Sequence, residues 1–242
     1  MKIVLDAGHG PNTPGKRSPD GSLREYQFNS AVARHVADML FSRYEGIEFM
    51  FTHADDRDVP LKERTDRANA WKADLFVSIH ANAAGDGVNW NSAQGIETFV
   101  YETRPPAAVA LANAVQRQLI RATGRPDRGV KSANFHVLRE TRMTAILVEC
   151  GFMTNRDECE LLKSDAYRRK CAEAIVAGIV ETYGLRPKQL SQKQPSDDWR
   201  AEFVAAREWA VEQGITDGSR PKDTVTREEL WTMLYRAVGP QK

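Results

Sequence analysis

The 242-residue sequence is short of several things, and each shortage excludes a class of protein. It has three cysteines, an odd set without C-x-x-C spacing. Cys150, Cys159 and Cys171 therefore build neither a disulfide framework nor a cysteine zinc site. Cys159 and Cys171 fall on expected helices and read as small core residues. No apolar run approaches the roughly 18 residues of a membrane-spanning helix, so no membrane insertion is expected. Formal net charge is +1, and no global field favours nucleic acid or an anionic membrane surface. A secretory h-region is missing as well, because acidic Asp6 interrupts the first apolar run. The expectation is synthesis in the cytoplasm without a signal peptide, with any work outside the cell done after release. What is present, 41% hydrophobic and 28% charged residues, suits a globular chain with room for one full domain and a small second one.

The chain is organised around its first ten residues. Ile3, Val4 and Leu5 form a strand-type run, broken by Gly8 and Gly10 on either side of His9. The glycines permit a sharp turn and leave the imidazole at the carboxyl end of the strand, where α/β sheets bind ligands. A histidine there can be a metal ligand, a general base or a polar loop residue. Residues 11–22 make a turn-rich loop long enough for a functional rim. A helix follows with Val32, Val36, Met39 and Leu40 on one face, and Glu25 at its first turn. The helix dipole alone would favour a carboxylate in that position. Residues 47–52 read as a second strand, and Pro60 opens a helix that runs to Trp71. Residues 75–80 form a third strand, apolar until it ends on His80, with Asn82 just beyond.

A loop over 83–94 leads to a strand at 95–101 and a helix from about 107 to 122. Residues 124–134 read as irregular, 135–138 as a short segment, and 145–149 as a last strand ending on Glu149. A helix from Ser164 to Tyr183 closes at Gly184. This alternation predicts an α/β domain over 1–184, with a twisted, mainly parallel sheet flanked by helices on both faces. Residues 185–198 read as a polar linker. Residues 199–242 read as a small helical module, with Trp199, Phe203, Ala206 and Ala210 at helical spacing in its first helix. A capping box from Thr226 to Glu229 precedes Leu230, Met233, Leu234 and Ala237 on the second. So few residues need a further surface to pack on: the first domain, a second copy, or a binding partner.

His9, Glu25, His80 and Glu149 stand at element ends that a parallel sheet brings to one edge. Two neutral imidazoles and one carboxylate are a common ligand set for catalytic zinc, with a fourth position left for water. A glutamate outside that set supplies a general base. Each residue also has a plainer reading: the histidines as hydrogen-bonded sheet-edge residues, and Glu149 as partner of an arginine in the 139–142 turn.

Residues 4–10, Glu25, residues 78–82 and residues 148–155, in that order, resemble the motif set of the zinc-dependent N-acetylmuramoyl-L-alanine amidases, in the branch of bacterial autolysins and phage endolysins. The resemblance covers about residues 1–184. It implies one Zn2+ ion held by His9, Glu25 and His80, with Glu149 as the catalytic glutamate. It also implies peptidoglycan as substrate, cut at the amide between the lactyl group of N-acetylmuramic acid and L-alanine. Asn82, beside the metal, and His136, ahead of the last strand, are candidate substrate-binding residues. Ala7 and Thr144 stand where many relatives have proline, and both are backbone positions away from the chemistry. Cys150 alternates to the face opposite Glu149 and reads as packing. Residues 201–236 resemble part of an S-layer homology module, which implies contact with a secondary cell-wall polymer. A helical hairpin used for dimerisation or stability is the alternative.

The functional expectation is a phage or prophage endolysin that reaches the wall through holin pores. A mother-cell autolysin of the same chemistry, a non-catalytic peptidoglycan-binding protein on an amidase scaffold, and a zinc peptidase for soluble peptides are the competing readings.

Overall fold

The computed structural model describes residues 1–188 and 207–216, and the chain divides into two units, Met1–Lys188 and Gln189–Lys242. In chain order the first unit contains β1 (Lys2–Ala7), α1 (Glu25–Arg43), β2 (Glu48–Phe51), α2 (Leu61–Ala70), β3 (Leu75–Asn82) and β4 (Ile96–Val100). It continues with α3 (Pro106–Thr123), β5 (Asp127–Ser132), α4 (His136–Arg139), β6 (Thr144–Phe152), α5 (Arg156–Lys163) and α6 (Asp165–Tyr183). The strands form one sheet in the order β2-β1-β3-β6-β4-β5.

Local chemistry sets the boundaries of the elements. Pro106 opens α3, where a missing N–H costs nothing, and Gly124 closes it in the left-handed region at φ 66°. Asn155 caps α5 by accepting from the Glu158 amide at 3.1 Å. Along β1 the side chains alternate: Ile3, Leu5 and Ala7 enter the larger core under α1, α3 and α6, and Val4 enters the smaller core under α2 and α4. Both faces of the sheet are thus covered, as parallel strands require.

β1, β2, β3 and β6 are mutually parallel, whereas β4 runs antiparallel to β6 and carries β5 parallel to itself. The sheet is mainly parallel, as expected, with two reversed strands at one edge. Residues 124–134, read as irregular from sequence, contain β5. Its residues Asp127, Arg128, Gly129, Val130, Lys131 and Ser132 offer no apolar alternation, because an edge strand with exposed and half-buried side chains needs none. The last strand also runs beyond Glu149 to Phe152, and Asn82 closes β3 rather than lying past it.

The connection through α1 leads from β1 to one side of the sheet, and the one through α2 crosses to β3 on the other. The carboxyl ends of β1 and β3 therefore flank the point where strand order reverses, the usual crevice for ligands in such sheets. After α6 the chain stays attached: Glu45 N–H donates to Arg186 O at 3.0 Å and Lys188 N–H to Arg43 O at 2.7 Å. In the second unit residues 207–212 are helical and Gly214, at φ 67°, ends the helix. The expected positions 189–206 and 217–242, including Trp199, Phe203, Ala206 and the Thr226 capping box, lie outside the described residues. No helix among the described residues is long and apolar enough to cross a membrane.

Candidate active site

Gly8 and Gly10 shape the turn after β1 for steric reasons. A Cβ on Gly8 would lie 2.0 Å from Cε1 of His80, and one on Gly10 would lie 2.8 Å from the Asp58 Cα. Only glycine lets the His80 ring lie across the chain at residue 8. Between the glycines, His9 takes the left-handed region at φ 62°, uncommon for a residue with a side chain. Arg64 holds that turn from beneath. Its guanidinium is buried, donates to the carbonyls of Ala7 and His9, and pairs with Asp6 at 2.8 Å. Thr52 and Ser78 hydroxyls donate to the same Asp6 carboxylate at 2.6 and 2.7 Å. Burial works against the charge of Asp6, but Arg64 and the two hydroxyls hold its carboxyl below the usual carboxylate range.

Glu25 is the first residue of α1 and is buried. Its Oε1 lies 2.9 Å from Nδ1 of His80 and its Oε2 3.3 Å from Nε2 of His9. The Asn29 side chain, one turn on, donates to Glu25 Oε1 at 3.2 Å and to Gly8 O at 2.9 Å. The Ala81 amide also donates to Glu25 Oε1 at 3.3 Å. The two imidazoles meet edge to face with centroids 5.0 Å apart. One donor atom from each of His9, Glu25 and His80 lies within 4.8 Å of the others, the only such group of three among the described residues. Two imidazoles and a carboxylate at that spacing fit a zinc ion.

Burial works against charge on all three residues. It depresses the His9 imidazole to about 4 in spite of the pull of Glu25. His80 goes the other way: its hydrogen bond to Glu25 outweighs burial and raises its pKa, while the same bond lowers that of Glu25.

Glu149 stands directly opposite His80 in the β3–β6 register, so the two side chains share a face. Its Oε2 is buried and has no hydrogen-bond partner. The plainer alternative, pairing with an arginine of the 139–142 turn, is not seen; Arg139 is taken up by Glu140 and Asn134. Burial, reinforced by the charge of Glu25, pushes the Glu149 carboxyl up to about 8. Cys150 points the other way into the core, where contact with Cys171 and burial push its thiol up.

The two remaining candidates sit differently. Asn82 donates through Nδ2 to Glu97 at 2.7 Å and accepts from the Ala83 amide at 2.8 Å, so both ends of its amide are engaged. His136 opens α4 with Nε2 3.3 Å from the Thr65 hydroxyl, against α2. Sequence reasoning missed Asp6, Ser78, Arg64 and Asn29. A carboxylate and a hydroxyl inside otherwise apolar strands were the signal that a buried cation must be near.

Fold and site together define an α/β protein with a metal-type His–Glu–His cluster at a topological switch point and, in register with it, a glutamate with one buried, unpartnered oxygen. A family model of N-acetylmuramoyl-L-alanine amidases matches residues 3–181, and the chain belongs to that family. It is 34% identical over 185 residues to the N-acetylmuramoyl-L-alanine amidase CwlM of Bacillus licheniformis, covering 76% of this chain and 70% of that one. It is also 34% identical over 196 residues to the endolysin of Bacillus phage SPP1, covering 81% of this chain and 71% of that one. Among solved structures, the catalytic domain of the amidase CwlV from Bacillus (Paenibacillus) polymyxa superposes with a TM-score of 0.70 at 35% identity. That match covers 77% of this chain and 99% of the other. The activity that goes with membership is that of a peptidoglycan amidase, cutting between N-acetylmuramic acid and L-alanine.

Proposed function

We propose that this amidase is zinc-dependent, with His9, Glu25 and His80 as metal ligands and Glu149 as general base. The observation that carries the reading is the Oε2 atom of Glu149, buried and without a partner on the same sheet face as His80. Zinc, when bound, polarises the scissile carbonyl and lowers the pKa of the attacking water towards about 7. Glu149 takes a proton from that water as its oxygen adds to the lactyl carbonyl carbon. The same carboxyl then passes the proton to the L-alanine nitrogen as the C–N bond breaks, leaving a lactyl carboxylate and a free amine. Burial makes Glu149 a stronger base than a solvated glutamate, and a nearby divalent cation favours its ionised form. Glu25 is braced by Asn29 and the Ala81 amide, so the ligand set is held before any ion arrives.

The test is Glu149→Gln in the full chain, assayed on purified peptidoglycan with metal content measured in parallel. The expected result is loss of new L-alanine amino termini by about 10²–10⁴-fold with one zinc per chain retained. Full activity in that variant, or wild-type activity indifferent to chelation, overturns the reading. New reducing sugar ends would point to glycosidase chemistry instead.

The similarity to the SPP1 endolysin supports an endolysin role, with release through holin pores, and the similarity to Bacillus amidases supports the autolysin alternative. A holin gene beside this one decides for the endolysin. The proposed role of residues 199–242 is binding of a secondary cell-wall polymer. Intact His9, Glu25, His80 and Glu149 speak against a purely binding function.

A further inference from the structure

The site does not stop at Glu149. In the antiparallel β4–β6 pairing Glu97 stands directly opposite Glu149, so His80, Glu149 and Glu97 form one row across three adjacent strands on one face. Glu97 is buried, and its carboxylate collects three donors: Asn82 Nδ2 at 2.7 Å, Arg128 Nε at 2.8 Å and Lys131 Nζ. One carboxylate offsets only one of the two cations. The side chains of Arg128 and Lys131 are 37% and 41% exposed, against 6% for that of Glu97. A positive charge is therefore left facing solvent at the end of the catalytic row. Arg128 is fixed further by the Phe152 ring, 4.8 Å from its Cζ.

We propose that Arg128 and Lys131 bind a carboxylate of the leaving peptide, with Glu97 and Asn82 as positioning residues behind them. The inference rests on the amidase reading above and adds a direction to it. On the muramoyl side of the scissile bond the single carboxyl is consumed in the amide, and the rest is neutral sugar. Free carboxylates occur on the peptide side, so the cationic end of the row must receive the peptide. With strands about 4.8 Å apart, Glu97 and the β5 side chains lie roughly 5–10 Å from Glu149. An extended peptide spans that distance from its first amide to the carboxylate of its second residue. The protein thereby distinguishes stem peptides whose second residue keeps a free α-carboxylate from those in which it is amidated.

The experiment compares two synthetic substrates, N-acetylmuramoyl-L-alanyl-D-glutamate and its D-isoglutamine counterpart, each with the γ-carboxyl capped as a methylamide so that only the α-group differs, with the full zinc-loaded chain. Wild type should show a KM about tenfold lower for the carboxylate substrate, the size of one charge-assisted hydrogen bond. Lys131→Met and Arg128→Gln should each raise KM for the carboxylate substrate several-fold more than for the carboxamide, and so erase the preference. Equal KM values in wild type, a preference that survives both substitutions, or equal losses on both substrates would each overturn the proposal. Cleavage of neither substrate by wild type would bring down the amidase reading itself, and this inference with it.

Discussion

Glu149 illustrates what a reactive residue costs the fold that holds it. Its carboxyl has one oxygen buried without a partner and a pKa pushed up to about 8 by burial, against 4.5 for the ordinary group. The folded protein keeps a proton that the unfolded chain gives up above about 4.5, so Glu149 erodes stability as pH rises from there to about 8, and no further beyond. Glu149→Gln removes that titration. In metal-free protein the variant should match wild type near pH 4.5 and exceed it by about 1–3 kcal/mol at pH 8, the scale of an unsatisfied buried polar group. Thermal unfolding at a series of pH values in chelator measures the difference, and parallel curves would show that Glu149 is satisfied in the fold. At this scale the sequence was legible where a polar residue interrupts an apolar run. His9 between two glycines, His80 at the end of β3 and Glu149 in β6 all carry that mark. Arg64 does not: on a charged helix it reads as a surface residue, and only the three-dimensional placement of Asp6 explains its burial.

Among the elements, apolar periodicity located β1, β3, β6 and the long helices because each buries a continuous stripe. β5 escaped because it buries little, and the direction of β4 escaped because period-2 alternation is the same read either way. That reversal has a chemical result. It brings Glu97 and Arg128, near the beginnings of their strands, to the edge where β3 and β6 deliver their ends. Neither residue stands at the end of its own strand, where the sequence places its candidate side chains. The helical layer is set by a different close fit: a Cβ on Gly178 of α6 would lie 2.7 Å from the Cα of Val115 on α3. Gly178→Val should force those helices apart and cost about 1–3 kcal/mol. His9, Glu25 and His80 come from the turn after β1, from α1 and from β3 rather than from α3 or α6, so zinc content should stay at wild-type level; denaturant unfolding and metal analysis check the two halves.

For the molecule as a whole, the first unit contains the sheet, both cores and every proposed site residue. A chain ended at Lys188 should therefore cleave soluble muropeptides as the full chain does. One ended at Gly184 loses the Arg186 and Lys188 bonds to the end of α1 and should unfold about 1–2 kcal/mol more easily, at about 1 kcal/mol for each bond. Comparing urea midpoints of the two truncations tests this. If shortening to Lys188 abolishes cleavage of soluble fragments, the second unit takes part in the chemistry. The chain's return to α1 was not readable in the sequence, since Arg186, Pro187 and Lys188 meet residues 43–45 through backbone atoms that side-chain pattern cannot report.

β5 closes one margin of the sheet, and its outer backbone groups would be open to pairing with a neighbouring molecule. Arg128, Lys131 and the kink at Gly129, whose φ is 78°, make that margin charged and uneven, which discourages such pairing. Exchanging these cations for apolar residues thus threatens solubility together with substrate choice, so an engineer seeking a changed wall preference should replace them with other polar side chains.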